Sequence, residues 1–297
     1  MNILPLIKTS LNEPIFKSFE EFEQEALNRN KFNSIEAALQ ISLRCSNLGQ
    51  AFAAGYRCAL QALVPDLNNN NWAAMCVTEV KGNHPRQLET IVDEQGVLTG
   101  AKSFVTMASA AKQLVVIAKA GETDQFPILK AVLVNHEHDS SGIQINDMPS
   151  LGMIPDIHHG QLNLTQATGS ILPGDGHTNY SKRFRTLEDL HVLTAFTALV
   201  LSMSYRYKLP DSVFQQGLFL LNFVSSNDLN ESELQHLNIH QAFQYFEKMV
   251  AGFMESASLL PKAFVEDWKR DSKLFKIASK ARNVRRERAL KDIMGVA

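Results

Sequence analysis

Met75-Cys-Val-Thr-Glu79, Gly100-Ala-Lys-Ser-Phe-Val-Thr106 and Leu114-Val-Val-Ile-Ala118 decide how this chain is read. Each is a short apolar run, rich in β-branched and aromatic residues, and polar turns separate them. Runs of this length and texture predict strands rather than helices. Their neighbours behave alike: 73–78, 88–92, 128–134, 143–145 and 161–164 are brief apolar runs. Gly96, Gly100, Gly121, Gly142, Gly152 and Gly160 punctuate them. Closely spaced strands with frequent turn signals predict a small antiparallel barrel-like or sandwich domain over residues 72–176. Glu94-Gln95-Gly96 predicts a hairpin turn within it.

The texture changes on both sides. From about Ser18 to Leu63, apolar residues recur at helical spacing: Phe19, Phe22, Ala26 and Leu27, then Ala38, Ile41, Leu48, Phe52 and Leu60. Gly49 and Gly55 lie inside the second pattern, where a missing side chain permits close helix packing. Pro65 ends it, and Asn68–Asn71 form a polar boundary. Beyond Pro173 helical periodicity returns at 187–208, 213–223, 232–259 and 274–294. Long helices joined by short turns predict a bundle. The expected fold is therefore α+β and multidomain: N-terminal helices (1–71), a middle β-domain (72–176) and a C-terminal helical bundle (177–297).

A chain of 297 residues, 45% apolar, can bury a substantial core. Its net charge of −2 supplies no field for nucleic acid or an anionic membrane, and neither partner is expected. Cys45, Cys58 and Cys76 have no paired spacing and read as reduced thiols. No signal peptide and no membrane-spanning stretch are expected, which predicts a cytoplasmic protein.

In these segments and their order, the chain resembles the acyl-CoA dehydrogenase family. In that family a Thr-Glu strand end and a Trp-Ile-Thr strand clamp the isoalloxazine ring of FAD. The resemblance places Thr78 and Thr106 at the clamp, with Phe104 for the Trp, and Met75 and Val77 on the strand leading in. It implies FAD as cofactor, an acyl thioester or related substrate, and assembly into a homodimer or tetramer. Leu172-Pro-Gly-Asp-Gly176 is similar to the turn that leads into the family's bundle, and Arg270-Asp-Ser-Lys273 to an Arg-Asp-Ala-Lys on its last long helix. The chain reads as a shortened, divergent member. It lacks the family's Arg-x-x-Phe-Gly and Gln-x-x-Gly-Gly segments, and its Gly-Ser-Asp turn is replaced by Asn83-His84-Pro85.

Dehydrogenation of an acyl thioester needs a general base for the α-proton. Counting from Arg270, Ala278 and Ser279 stand where the resemblance implies Tyr and Glu, and a serine hydroxyl is no base without an activator. Glu247 and Glu255 are alternatives on another helix. Glu188 and His191, three apart on one helix face, read either as an acid–base pair or as an exposed pair at a helix start. With the base replaced, the function expected is a flavin-dependent oxidoreductase of altered chemistry, such as monooxygenation. The alternative is a non-catalytic scaffold or ligand-binding protein that has lost FAD. His136, His138, His158, His159 and His177, with Asp139 and Asp156, read as solvated loop residues rather than a metal site. Arg282, Arg285 and Arg286 read first as the solvated face of the last helix and second as a phosphate contact.

Overall fold

The computed structural model describes residues 3–28, 33–136, 141–226, 232–277 and 279–295. The chain forms two compact units. One is helical and combines residues 1–59, 152–156 and 186–297; the other is built on a sheet and combines 60–151 and 157–185. The stretch 1–71, set apart by its helical texture, thus packs largely with the bundle rather than alone.

The helical unit contains α1 (Leu4–Asn12), α2 (Phe19–Asn28), α3 (Ser34–Ser42) and most of α4 (Leu48–Leu63). It also holds α5 (Arg183–Arg206) from Thr186 onward, α6 (Asp211–Ser225), α7 (Glu233–Glu255), α8 (Lys262–Asp271) and α9 (Ser279–Met294). α1 lies before the first helix expected from periodicity. Ile3, which caps it, and its Ile7 and Leu11 recur every four residues and pack with Leu39, Leu43, Ala198, Leu201 and Leu221. The expected helix over 274–294 begins later, at Ser279, after a short 3-10 turn over Ser272–Lys276. α5 with its lead-in is long and apolar enough to cross a membrane, contrary to the sequence expectation, and 94% of its apolar window is buried within the protein. That burial is the mark of a core helix. The role of Gly55 is the one anticipated: a Cβ there would lie 2.7 Å from the Val192 Cα on α5.

The sheet unit carries β1 (Trp72–Cys76), β2 (Ile91–Val92), β3 (Val97–Thr106), β4 (Ala111–Glu122), β5 (Pro127–Asn135), β6 (Ile143–Asp147), β7 (His159–Thr168) and β8 (Ser170–Ile171). They form one sheet in the order β6-β7-β3-β2-β4-β5-β8, with β1 added beside β4. The sheet is mixed, which corrects the antiparallel expectation: β1 and β2 both run parallel to β4. The hairpin β2–β3 lies between β1 and β4 in sequence and supplies the crossover that parallel pairing requires. Its turn is the one expected, with Asp93 Oδ1 accepting from the Gln95 and Val97 amides and Gly96 at φ 84°. Leu114 to Ala118 are fully buried at the centre of the sheet, as a strand covered on both faces must be.

Candidate functional site

The sheet splits beside the candidate clamp residues. β1 accompanies β4 up to the pair Cys76–Val116, and β2 meets β4 at Ile91–Lys119. Beyond β1 the chain turns toward β3, where the Ser103 amide donates to the Thr78 carbonyl at 2.8 Å. The interval between the two pairings is plugged by a buried ion pair. Lys102 Nζ donates to Glu79 Oε1 and to the Ile117 carbonyl, both at 2.6 Å. The Glu79 carboxylate also accepts from the Glu89 and Thr90 amides, at 2.6 and 3.1 Å. Lys102 is 0% and Glu79 6% exposed. Burial pushes the Glu79 carboxyl up, but the Lys102 charge and these hydrogen bonds win and hold it below the usual carboxylate range. The pair therefore fixes the backbone on either side of Thr78 and Ser103. Neither residue received a role from the sequence reading; a Lys inside an apolar strand, where charge is expensive, was the available signal.

Thr78, Phe104 and Thr106 lie half-exposed, beside Val77 in the same state. The hydroxyls of Thr78 and Thr106 make no hydrogen bond among the described residues, so both are free to serve a ligand. Met75 is buried on β1 in register with Val115. His159 is also buried, contrary to its reading as a solvated loop residue. It opens β7 as the direct partner of Thr106, with its ring centroid 4.7 Å from that of Phe104. Burial lowers its pKa, and the neighbouring His158 adds to this against a backbone hydrogen bond with Ile157. Phe104 and Thr106 share β3 and Thr78 joins that strand through Ser103, so an aromatic ring and two threonine hydroxyls are available to a ligand with an apolar face and a polar edge, as a flavin has.

His177 is half-buried, its Nδ1 3.0 Å from Ser181 Oγ, whereas His158 is exposed. His138 and Asp139 lie outside the described residues. Among the described residues no group of His, Cys, Asp or Glu is arranged to hold a metal ion.

The catalytic candidates belong to the helical unit. His191 is 0% exposed, with Nδ1 2.6 Å from the Leu187 carbonyl and Nε2 2.8 Å from Ser34 Oγ. It is a core histidine rather than a partner of half-exposed Glu188 or an exposed residue at a helix start. Burial depresses its pKa to about 4. The folded value lies below the unfolded one of roughly 6.5, so its stabilising share is complete above that pH and is lost as pH falls toward 4. Unfolding free energy is expected to drop by about 3 kcal/mol across this window. Urea titrations should show the drop, and His191→Gln, which takes no proton there, should lack it.

Ser279 Oγ donates to the Lys276 carbonyl at 2.7 Å at the start of α9. Glu247 and Glu255 are exposed. Arg270 and Asp271 pair through two contacts of 2.7 Å, and Asp271 accepts from the Ile154 amide at 2.6 Å. That bond pins Ile154 at φ 40°, a strained conformation for a β-branched residue. The basic α9 is not simply a solvated face. Arg282 is buried and, with Arg285, binds Asp189 of α5, while Arg286 is half-exposed.

Neither a protein-family model nor a curated protein sequence matches the chain. Its fold does match solved structures. An FAD-dependent dehydrogenase aligns with 14% identity and TM-score 0.69, covering 99% of this chain and 98% of the other. The prolyl acyl carrier protein oxidase AnaB aligns with 15% identity and TM-score 0.65, covering 97% of each. A protein described as an acyl-CoA dehydrogenase of Mycobacterium smegmatis aligns with 12% identity and TM-score 0.60, covering 99% and 97%. The chain has the acyl-CoA dehydrogenase fold.

Proposed function

We propose that this protein is an FAD-dependent oxidoreductase acting on an acyl thioester or a related carrier-bound acyl group. The observation that carries this reading is the open patch of Thr78, Phe104 and Thr106, whose hydroxyls are unengaged while the surrounding backbone is fixed by Lys102 and Glu79. FAD, when bound, accepts the electrons removed from a substrate. The chain's own part is to hold the ring: Thr78 and Thr106 donate to its polar edge and Phe104 covers its face. The solved structures of similar fold include an FAD-dependent dehydrogenase and an acyl carrier protein oxidase, which supports both cofactor and substrate class. Homodimeric or tetrameric assembly and a cytoplasmic location belong to the same reading.

The visible spectrum of purified protein, before and after adding FAD and desalting, tests the reading directly. Retained flavin absorbance supports it; none after reconstitution overturns it. Thr106→Val removes one hydrogen bond to the ring and is expected to weaken FAD binding by about 1–3 kcal/mol, or roughly 5- to 150-fold. Unchanged affinity in that variant would move the site elsewhere.

A second reading, a scaffold without catalysis, is favoured by one set of observations. His191 is locked in the core and Ser279 is tied to Lys276, so neither is placed to act as a base. Under that reading Thr106→Val alters stability alone, and only modestly.

A further inference from the structure

His159 stands out because nothing in the flavin reading required it, yet the sheet places it there. Directly paired residues of antiparallel strands project to the same face. The pair Thr106–His159 therefore sets the imidazole beside the Thr106 hydroxyl. Phe104, on the same strand, meets the imidazole with an interplanar angle of 35°. Their exposures differ: Phe104 is half-exposed, whereas His159 is 7% exposed. The buried imidazole therefore packs, tilted, against the half-exposed phenyl ring.

His159 is itself tightly fixed. The Met107 amide donates to the His158 carbonyl at 2.8 Å, and the Met148 amide to the His159 carbonyl at 2.8 Å. Its backbone is held from both sides. The next residue, Gly160, has no room for a side chain, since a Cβ would meet the Ala108 Cβ at 2.8 Å and the Asn146 carbonyl at 3.0 Å. With its backbone held in this way, the imidazole is a planar neighbour placed against Phe104.

We propose that His159 is a positioning residue of the flavin clamp, which sets the orientation of the Phe104 ring before the cofactor binds. The inference rests on the flavin reading above. An aromatic ring free to rotate must be ordered when a ligand arrives, and that ordering subtracts from affinity. A ring already backed by a second planar group avoids the loss, as preorganised sites do. The aliphatic residues available to a β-strand would fill the volume but would not give the Phe104 face a flat partner.

The test uses the full chain with His159→Ala, His159→Leu and His159→Phe. Three quantities are read: FAD affinity by flavin fluorescence quenching, the shape of the visible flavin band, and the melting temperature without FAD. His159→Ala and His159→Leu are expected to weaken FAD binding, by up to about tenfold, and to alter the band. His159→Phe restores the planar neighbour and is expected to recover most of the affinity. Should His159→Ala fail to fold, His159→Leu, which keeps the volume, answers the same question. Variants that bind FAD as the wild type does, whatever their melting temperature, reduce His159 to a structural role and overturn the proposal. Equal loss in Leu and Phe overturns it as well, because planarity would then be irrelevant. A wild-type protein that takes up no FAD fails differently: it removes the flavin reading, and this inference with it.

Discussion

Glu79→Ala is expected to cost the sheet unit about 3–5 kcal/mol of stability, the usual result of removing one partner of a buried ion pair. Four hydrogen bonds end on this carboxylate or on the ammonium beside it: two between backbone amides and Glu79, one between the pair, and one to the Ile117 carbonyl. Removal of Glu79 leaves Lys102 charged in a site with no access to water, or forces it to give up its proton. Burial already pulls the Lys102 ammonium below its ordinary value, and Glu79 opposes that pull. The Glu89 and Thr90 amides lose their acceptor at the same time. Urea denaturation checks the size of the loss. Lys102→Met combined with Glu79→Ala should recover part of it, since the stranded charge is gone. A loss below about 1 kcal/mol in the single variant would contradict the burial of the pair. The pH dependence has a definite sign. Glu79 is depressed in the folded state, so its contribution is present above the unfolded carboxylate value and disappears as acid titrates the folded group.

Asp189→Ala is the second large effect, again on the order of 3–5 kcal/mol. Asp189 lies on α5 with 5% exposure and accepts from Arg282 Nη1 at 2.9 Å and from Arg285 Nη2. Arg282 also donates to the Phe275 carbonyl at 3.2 Å, and its guanidinium carbon lies 3.6 Å from the Phe243 ring centroid. The Arg282 guanidinium thus joins α5, α7 and the turn before α9, and Asp189 is its carboxylate partner. Without it, two cations face each other in a poorly solvated space. α9 buries little apolar surface, with Ala289 the apolar side chain it buries among its described residues, so the charge contacts carry much of its docking. A drop in melting temperature on the order of 10 °C is expected. Hydrogen exchange should rise first in α9, and protection there equal to the wild type would show that docking does not depend on Asp189.

Much of the architecture follows from local pattern. Helical spacing flanks a stretch of short glycine-punctuated apolar runs, and periodicity reports an element whatever its partners. The same pattern marks the strands around Thr78, Phe104 and Thr106, but their reading as a clamp rested on the resemblance to the acyl-CoA dehydrogenase family and not on periodicity. Gly55 could be read as a close-packing site since no side chain there is itself the signal.

Other features depend on partners distant in sequence. β1 runs parallel to β4 because the β2–β3 hairpin lies between them, and β2 does because β3 returns the chain, and nothing in the apolar run 114–118 states which neighbour it takes. α1 to α3 share a unit with α5 to α9 although the whole sheet region separates most of them in sequence. Charged and titratable residues show the same limit most plainly. Arg282 looks like a surface cation until Asp189, 93 residues earlier, is brought to it. Lys102 requires Glu79 to be tolerable inside a strand, and His159 looks like a loop residue until Thr106 pairs with it. Hydrophobic periodicity is a local property of the chain and was available from the sequence. The side on which a polar group comes to rest depends on whether folding supplies its partner, and only the tertiary structure decided that.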